Sequence, residues 1–247
     1  MPTALQIHFV MALFLGSGFL FLSSGAAADT TLPPFSGLSA LDGQSGWEPL
    51  EFPGIKQHSR YQLVTDDGVQ VIRADTSGGA SGLIARVSTQ PGESLILRWR
   101  WKVSNVFEQG DARTKSGDDY PARIYVAFVF QPEKAGWLER AKRKAAALVF
   151  GGELPGNALN YIWANRVPAG SFIPNSYTDQ TMMVAVNSGI AQAGQWLWVE
   201  RDIVADYRKA FGEDPPALAG IAIMSDSDNT GETATAWYGD ISLTPGP

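Results

Sequence analysis

The chain of 247 residues contains no cysteine. That excludes disulfides, thiol nucleophiles, iron–sulfur clusters and thiolate zinc sites. Histidine is nearly as scarce, with only His8 and His58 present. If His8 leaves with a leader, no site can use two histidines, and the common zinc hydrolase sites are excluded. A Ser-His-Asp triad would have to run through His58, which reads as a surface-loop residue in Lys56-Gln57-His58-Ser59. Basic residues are in deficit: 19 Lys and Arg stand against 25 Asp and Glu, for a net charge of −6 and a pI near 4.9. That balance argues against nucleic acid as a partner. A GxSxG elbow, a P-loop, a dinucleotide glycine fingerprint and HExxH are all missing.

Charge is absent from the first 28 residues, and Phe9 to Leu22 reads FVMALFLGSGFLFL. This run is shorter than the ~20 residues that span a bilayer. With Ala26-x-Ala28 behind it, the segment 1–28 reads as a signal peptide cleaved after Ala28. Its start lacks Lys and Arg, which leaves an uncleaved anchor as the alternative. No other long apolar run follows, so no stable membrane span is expected after cleavage. The expected product is a soluble periplasmic or secreted protein. Residues 29–46, rich in Pro, Gly and Ser, form a strap, and residues 47–247 form a single domain. That domain is long enough to bury a full core unaided.

Within it, apolar and polar residues alternate. In Leu95–Val103, Leu97, Trp99, Trp101 and Val103 share one face and Arg98, Arg100 and Lys102 the other. In Arg123–Phe130, Ile124, Val126, Phe128 and Phe130 oppose Arg123 and Tyr125. Tyr61–Val64 and Val69–Ile72 flank Asp66-Asp67-Gly68, a hairpin signal. Further strands fall at 83–87, 159–163, 182–186, 196–203, 218–224 and 234–243. About ten strands without a βαβ rhythm predict an all-β, antiparallel, jelly-roll-like sandwich. Two helices interrupt it. One is basic, from Glu133 to Leu148; the other runs from Val204 to Phe211 and stops at Gly212.

Four constellations could carry chemistry. Lys115-Ser116-Gly117-Asp118-Asp119-Tyr120-Pro121-Ala122-Arg123 places two adjacent carboxylates between cations ahead of a strand. They could bind calcium, act as acid and base, hold a sugar hydroxyl, or simply form an ion-paired turn. Asp226 and Asp228 alternate after an apolar strand and are followed by Asn229 and then Gly231, like the opening of a calcium loop, but Thr230 and Trp237 stand where an EF-hand needs ligands. A polar turn is the plainer reading. Tyr161 and Trp163, followed by Asn165 and Arg166, are either a sugar-holding aromatic face or core aromatics. Arg98, Arg100 and Lys102 would form a positive patch if Arg123 lies on a neighbouring strand, suited to uronates, phosphates or carboxylates. The alternative is cross-strand pairing with Glu200, Asp202 or other carboxylates.

The strings LRWRWKV, KSGDDYPARIYVAF, LNYIWANR, GQWLWVERDIVADYRKAFGEDPP and GIAIMSDSDNTGETATAWYGDISL, in this order, resemble the bacterial exported domain-of-unknown-function family three thousand forty-seven. The likeness spans Phe35 to Leu243 and implies no activity. More loosely, Tyr238–Leu243 resembles the closing strand of carbohydrate-binding jelly rolls, where an Asp often serves a structural calcium. Asp240 would hold that position, joined here with Asp226 and Asp228 as a candidate metal set. Together these readings favour a binding module for an envelope glycan or another anionic, hydroxyl-rich ligand. The alternatives are a carboxylate-based polysaccharide hydrolase or lyase and a structural or protein-interaction subunit.

Overall fold

A computed structural model describes residues 31–52, 54–134, 136–137 and 156–247. The leader and most of the basic helix expected at Glu133–Leu148 lie outside the described residues. Thirteen strands are present among the described ones: β1 (Glu48–Leu50), β2 (Arg60–Asp66), β3 (Val69–Ser77), β4 (Ala80–Thr89), β5 (Leu95–Val103), β6 (Arg123–Phe128), β7 (Ala158–Ala164), β8 (Phe172–Pro174), β9 (Thr181–Ser188), β10 (Leu197–Asp202), β11 (Leu218–Asp226), β12 (Thr233–Tyr238) and β13 (Ser242–Pro245). Sheet A has the order β1-β4-β11-β6-β7-β9-β8, and sheet B the order β10-β5-β12-β3-β2 with β13 also paired to β5. All pairings are antiparallel except β7 with β9. The expected sandwich is present, with one parallel pair inside it and more strands than the sequence showed.

The two sheets meet through the apolar faces that alternation assigned. Leu97, Trp99, Trp101 and Val103 of β5 are fully buried, as are Ile124, Val126 and Phe128 of β6. Trp99 lies 5.3 Å from Tyr161, and Trp101 lies 6.0 Å from Trp163, so sheet B and β7 of sheet A interlock through four aromatics. Each such ring removes about 150–250 Å² from water, worth about 4–6 kcal/mol at ~25 cal/mol per Å² as an upper bound. The strap closes one end: Phe35 packs on Trp47 at 4.6 Å, and the Trp47 indole donates to the Pro33 carbonyl.

Local signals explain the connections. Asp67 and Gly68 take positive φ (50° and 75°), the two-residue turn that joins β2 to β3. Helix α1 (Ile203–Phe211) starts where the Asp202 carboxylate accepts from the Val204 and Ala205 amides, and ends at left-handed Gly212. The long segment between β5 and β6 crosses from sheet B to sheet A. It then folds over the outer face of sheet A, where Ala112 and Tyr120 pack on Ile162, Ala164, Met183 and Ala185. Among the described residues no helix is long and apolar enough to cross a membrane.

Candidate functional site

β6 begins with Arg123 and β11 ends with Asp226. Both point to the outer face of sheet A, beneath the crossing segment. The Arg123 guanidinium is 1% exposed and pairs with Asp226, with Asp118 3.9 Å from its Nη1. It also lies over the rings of Tyr120 (5.1 Å) and Tyr125 (5.6 Å). Asp118 accepts from Asn175 Nδ2 at 3.1 Å. Asp119 turns the other way and accepts from the amides of Asn229 and Thr230 and from Asn229 Nδ2 at 3.0 Å. Tyr177 reaches from its loop to donate to the Lys115 carbonyl, while Lys115 Nζ sits 5.2 Å above its ring. Asn165 accepts from the Phe107 amide and donates to the Asp119 carbonyl, stapling the crossing segment to the end of β7. The first two constellations therefore meet at one buried junction of three loops, here called the arginine node.

Four carboxyl groups gather at the node, Asp118, Asp119, Asp226 and Asp228, and two of them, Asp118 and Asp226, face the Arg123 guanidinium. Burial pushes Asp226 well above the usual carboxylate range against the pull of Arg123, and Asp119, Asp228 and Asp118 push the same way. Burial raises Asp118 too, again against Arg123. Burial opposes the charge on Arg123, but Asp226, Tyr125 and Asp118 hold it protonated. Seven buried side-chain N or O atoms among the described residues lack a hydrogen-bond partner. Six belong to Asp118, Tyr120, Arg123, Tyr125 and Asn160 on this one face. Buried polar atoms are normally satisfied, so this concentration marks the node as the molecule's polar centre. Asp119, Asp226 and Asp228 also place one oxygen each within 4.8 Å of one another, a spacing that hard oxygen ligands around a divalent cation can adopt.

The opposite outer face, on sheet B, is the accessible one. Trp198 is 74% exposed and stands across from Arg100; Trp237 stands across from Lys102 and Arg73. Trp196, just before β10, sits between them. Its indole donates to Asp66 at 2.9 Å, and its ring lies 4.5 Å from the Arg100 guanidinium and 5.1 Å from Lys102 Nζ. Lys102 also lies 4.6 Å over Trp237. The result is an alternating row of indoles and cations spread over β10, β5, β12 and β3. Sequence reasoning named Arg98, Arg100 and Lys102 but missed Trp198 and Trp237 and gave Trp196 no ligand role. The signal was there: in GQWLWVE, Trp196, Trp198 and Glu200 alternate against Leu197 and Val199.

Several expectations are corrected. Arg123 does not join the basic face of β5, because β6 belongs to the other sheet and the two faces point away from each other. Arg98 pairs with Glu200 and Lys102 with Asp66, both within the pairing alternative, while Asp202 caps α1 and binds Ser94. Tyr161 and Trp163 hold no sugar: both are fully buried between the sheets, and the Tyr161 hydroxyl donates to Asp206 at 2.8 Å. Asn165 is buried beneath the crossing segment, and exposed Arg166 donates to the Glu108 carbonyl. Asp240 is not part of the acidic cluster; it accepts from the Ser36 amide and hydroxyl at 2.9 and 2.6 Å and ties the strap to sheet B. A cleft lined by Phe130, Asn157, Tyr207 and Pro216 contains none of the candidate ligand-binding or metal residues.

A family model described as "Protein of unknown function (DUF3047)" matches residues 45–242. No curated protein matches the chain in sequence. Solved structures similar to it include a family 11 carbohydrate-binding module from Clostridium thermocellum in complex with a β-1,3-1,4-mixed-linked tetrasaccharide. It shares 11% identity with a TM-score of 0.40, over 89% of this chain and 97% of that one. A family 30 carbohydrate-binding module shares 15% identity at a TM-score of 0.34, over 80% and 87%. The Emp47p carbohydrate recognition domain shares 13% identity at a TM-score of 0.44, over 91% and 100%.

Proposed function

The chain belongs to that family of unknown function, and from this premise we propose that it is an exported, periplasmic or secreted glycan-binding module whose ligand lies across the outer face of sheet B. Export rests on the leader-like run at 9–22. The observation that carries the binding reading is the row of Trp198, Trp196 and Trp237 interleaved with Arg100 and Lys102. An indole left 74% exposed on a rigid strand has given up its burial energy. Its flat apolar face suits the C–H face of a sugar ring, and neighbouring strands repeat such surfaces every ~4.8 Å. The cations hold the rings in place from beside or above, so little ordering entropy is lost on binding.

The arginine node supports this reading as a brace. Asp118, Asp119 and Asp226 are buried and committed to Arg123, Asn175, Asn229 and Thr230, which is not how an acid and a base flank an open cleft. Any cation the module uses would be held by Asp119, Asp226 and Asp228, and calcium is the hard ion that those oxygens suit. Its chemistry there would be structural, tying the turn at 227–231 to the crossing segment. At ~100 times its dissociation constant, calcium is expected to add about 2.7 kcal/mol of stability. The check is a thermal melt in calcium against chelator. A rise that Asp228→Asn abolishes locates the ion, and an unchanged melt removes the ion from the account.

Binding is tested by affinity electrophoresis of the chain from Asp29 onward through a panel of soluble bacterial polysaccharides. Trp198→Ala is expected to lose more than 2 kcal/mol of affinity, about thirtyfold, as central aromatic anchors do, with an unchanged melt because the side chain is exposed. Equal retention of the variant would move the ligand off this face. Release of new oligosaccharides by the wild type, lost in Asp118→Asn, would replace the binding reading with a hydrolase or lyase. No retention of any polysaccharide would favour an interaction subunit.

A further inference from the structure

The three cations along the outer row of β5 have different partners. Arg98 is neutralised by Glu200 at 2.5 Å. Lys102 closes on both oxygens of Asp66 at 2.6 and 2.7 Å, and the Trp196 indole uses the same carboxylate. Arg100, between them, has no ion pair among the described residues. Its guanidinium carbon instead lies 4.5 Å from the Trp196 ring and 5.8 Å from the exposed Trp198 ring. A guanidinium that rests beside indoles and has no ion pair can still turn its N–H fork to a ligand, and that fork grips a carboxylate with two parallel hydrogen bonds.

The sheet has room for this arrangement. β12 ends at Tyr238 and β13 starts at Ser242, so beside Arg100 the neighbouring strand is interrupted at Gly239. The Gly239 amide still donates to the Arg100 carbonyl at 2.9 Å, but a β-carbon there would come within 2.5 Å of Arg100 Cγ and 2.7 Å of its Nε. Glycine at 239 is the floor on which the arginine side chain lies. No positive φ demands a glycine at this position, so the close approach of Arg100 is the reason for it.

We propose that Arg100 recognises a carboxylate, and that the ligand is an acidic glycan whose sugar ring lies on Trp198 while its carboxylate engages the guanidinium. This narrows the glycan-binding reading and rests on it. Charge complementarity carries the choice. The protein as a whole is at −6 and repels polyanions at long range, so an acidic glycan must find its compensation locally, and Arg100, beside the exposed Trp198 ring, is a cation without an ion pair among the described residues.

The test compares a polyuronate with the same polymer after its carboxylates have been reduced to alcohols, and with a sulfated glycan of similar length. The wild type is expected to bind the polyuronate at least tenfold more tightly than either. Arg100→Gln should reduce polyuronate binding to the level of the reduced polymer. Arg100→Lys should not restore it, because an ammonium lacks the fork. Gly239→Ala keeps the charge but displaces the side chain and should lose the preference as well; Arg100→Gln, on the surface, covers the case in which Gly239→Ala fails to fold. Equal affinity for the reduced polymer, a stronger preference for the sulfated one, or an indifferent Arg100→Gln overturns the proposal while the glycan-binding reading stands. Absence of binding to all three polymers, or binding that survives Trp198→Ala, overturns the underlying reading instead.

Discussion

Arg123→Met is expected to cost about 3–5 kcal/mol, because removing one partner of a buried ion pair strands the others. Methionine keeps most of the stem but leaves Asp226, 1% exposed, and Asp118, 2% exposed, without their cation. Against a typical total of about 5–15 kcal/mol, that loss is visible in a urea midpoint at neutral pH. The size of the effect depends on pH, with a definite sign. Burial and the crowd of carboxylates raise Asp226 and Asp118 above their unfolded values. A carboxyl whose folded pKa is raised binds its proton more tightly in the native state. Its stabilising contribution is therefore complete below the unfolded pKa and is lost as pH rises through the folded pKa. The variant should be weakest near neutrality and recover as pH falls toward the ordinary carboxylate range. Asp66 acts in the opposite sense: the hydrogen bond from Lys102 lowers it, so its contribution holds at neutral pH and fades only as pH falls through that lowered value. Adding Asp226→Asn to Arg123→Met should recover part of the loss at neutral pH and flatten the acid recovery. A variant as stable as the wild type at neutral pH would show that the guanidinium compensates nothing there.

The node also shows what a sequence reveals and what it withholds. Paired aspartates, the later aspartates and Arg123 were each recognisable as chemistry. That they meet was not, because the meeting depends on a crossing segment that carries β6 to the other sheet. Alternation along β5 and β6 gives the face of each strand but not the sheet it joins, so Arg123 and the β5 cations looked like neighbours and ended on opposite sides. β7 lost its alternation altogether: Ala158–Ala164 is buried throughout, with core on one side and the crossing segment on the other. The sequence therefore could not decide between the two readings of Tyr161 and Trp163, a ligand face or the core. β1 and β8 are three residues each, too short for a period-two pattern to register. The turn at Asp67-Gly68 and the end of α1 at Gly212 were legible because their backbone angles select specific residue types.

The inner side of the strand that carries Arg100 supplies the second large effect. Trp99→Ala should cost about 3–5 kcal/mol, the usual loss for a large aromatic cut from a packed core. Trp99→Phe should cost much less. The Trp99 indole N–H is buried without a partner, and its removal relieves a penalty of about 1–3 kcal/mol that offsets the lost ring area. Trp101, 5.4 Å away on the same face, provides the control. Its indole donates to Asn187 Oδ1 at 2.7 Å, so Trp101→Phe loses the ring area and leaves that acceptor unpaired. Urea midpoints at a common slope should therefore place Trp99→Phe above Trp101→Phe, and Trp99→Ala below both. The reverse order of the two phenylalanine variants would mean that packing shape, not hydrogen-bond satisfaction, governs this part of the core. The comparison reaches the binding face as well, because Trp99 and Arg100 are consecutive and point to opposite sides of one strand. If β5 acts as a rigid rail, Trp99→Phe should leave glycan affinity unchanged. Trp99→Ala should then reduce binding only by the fraction of molecules unfolded.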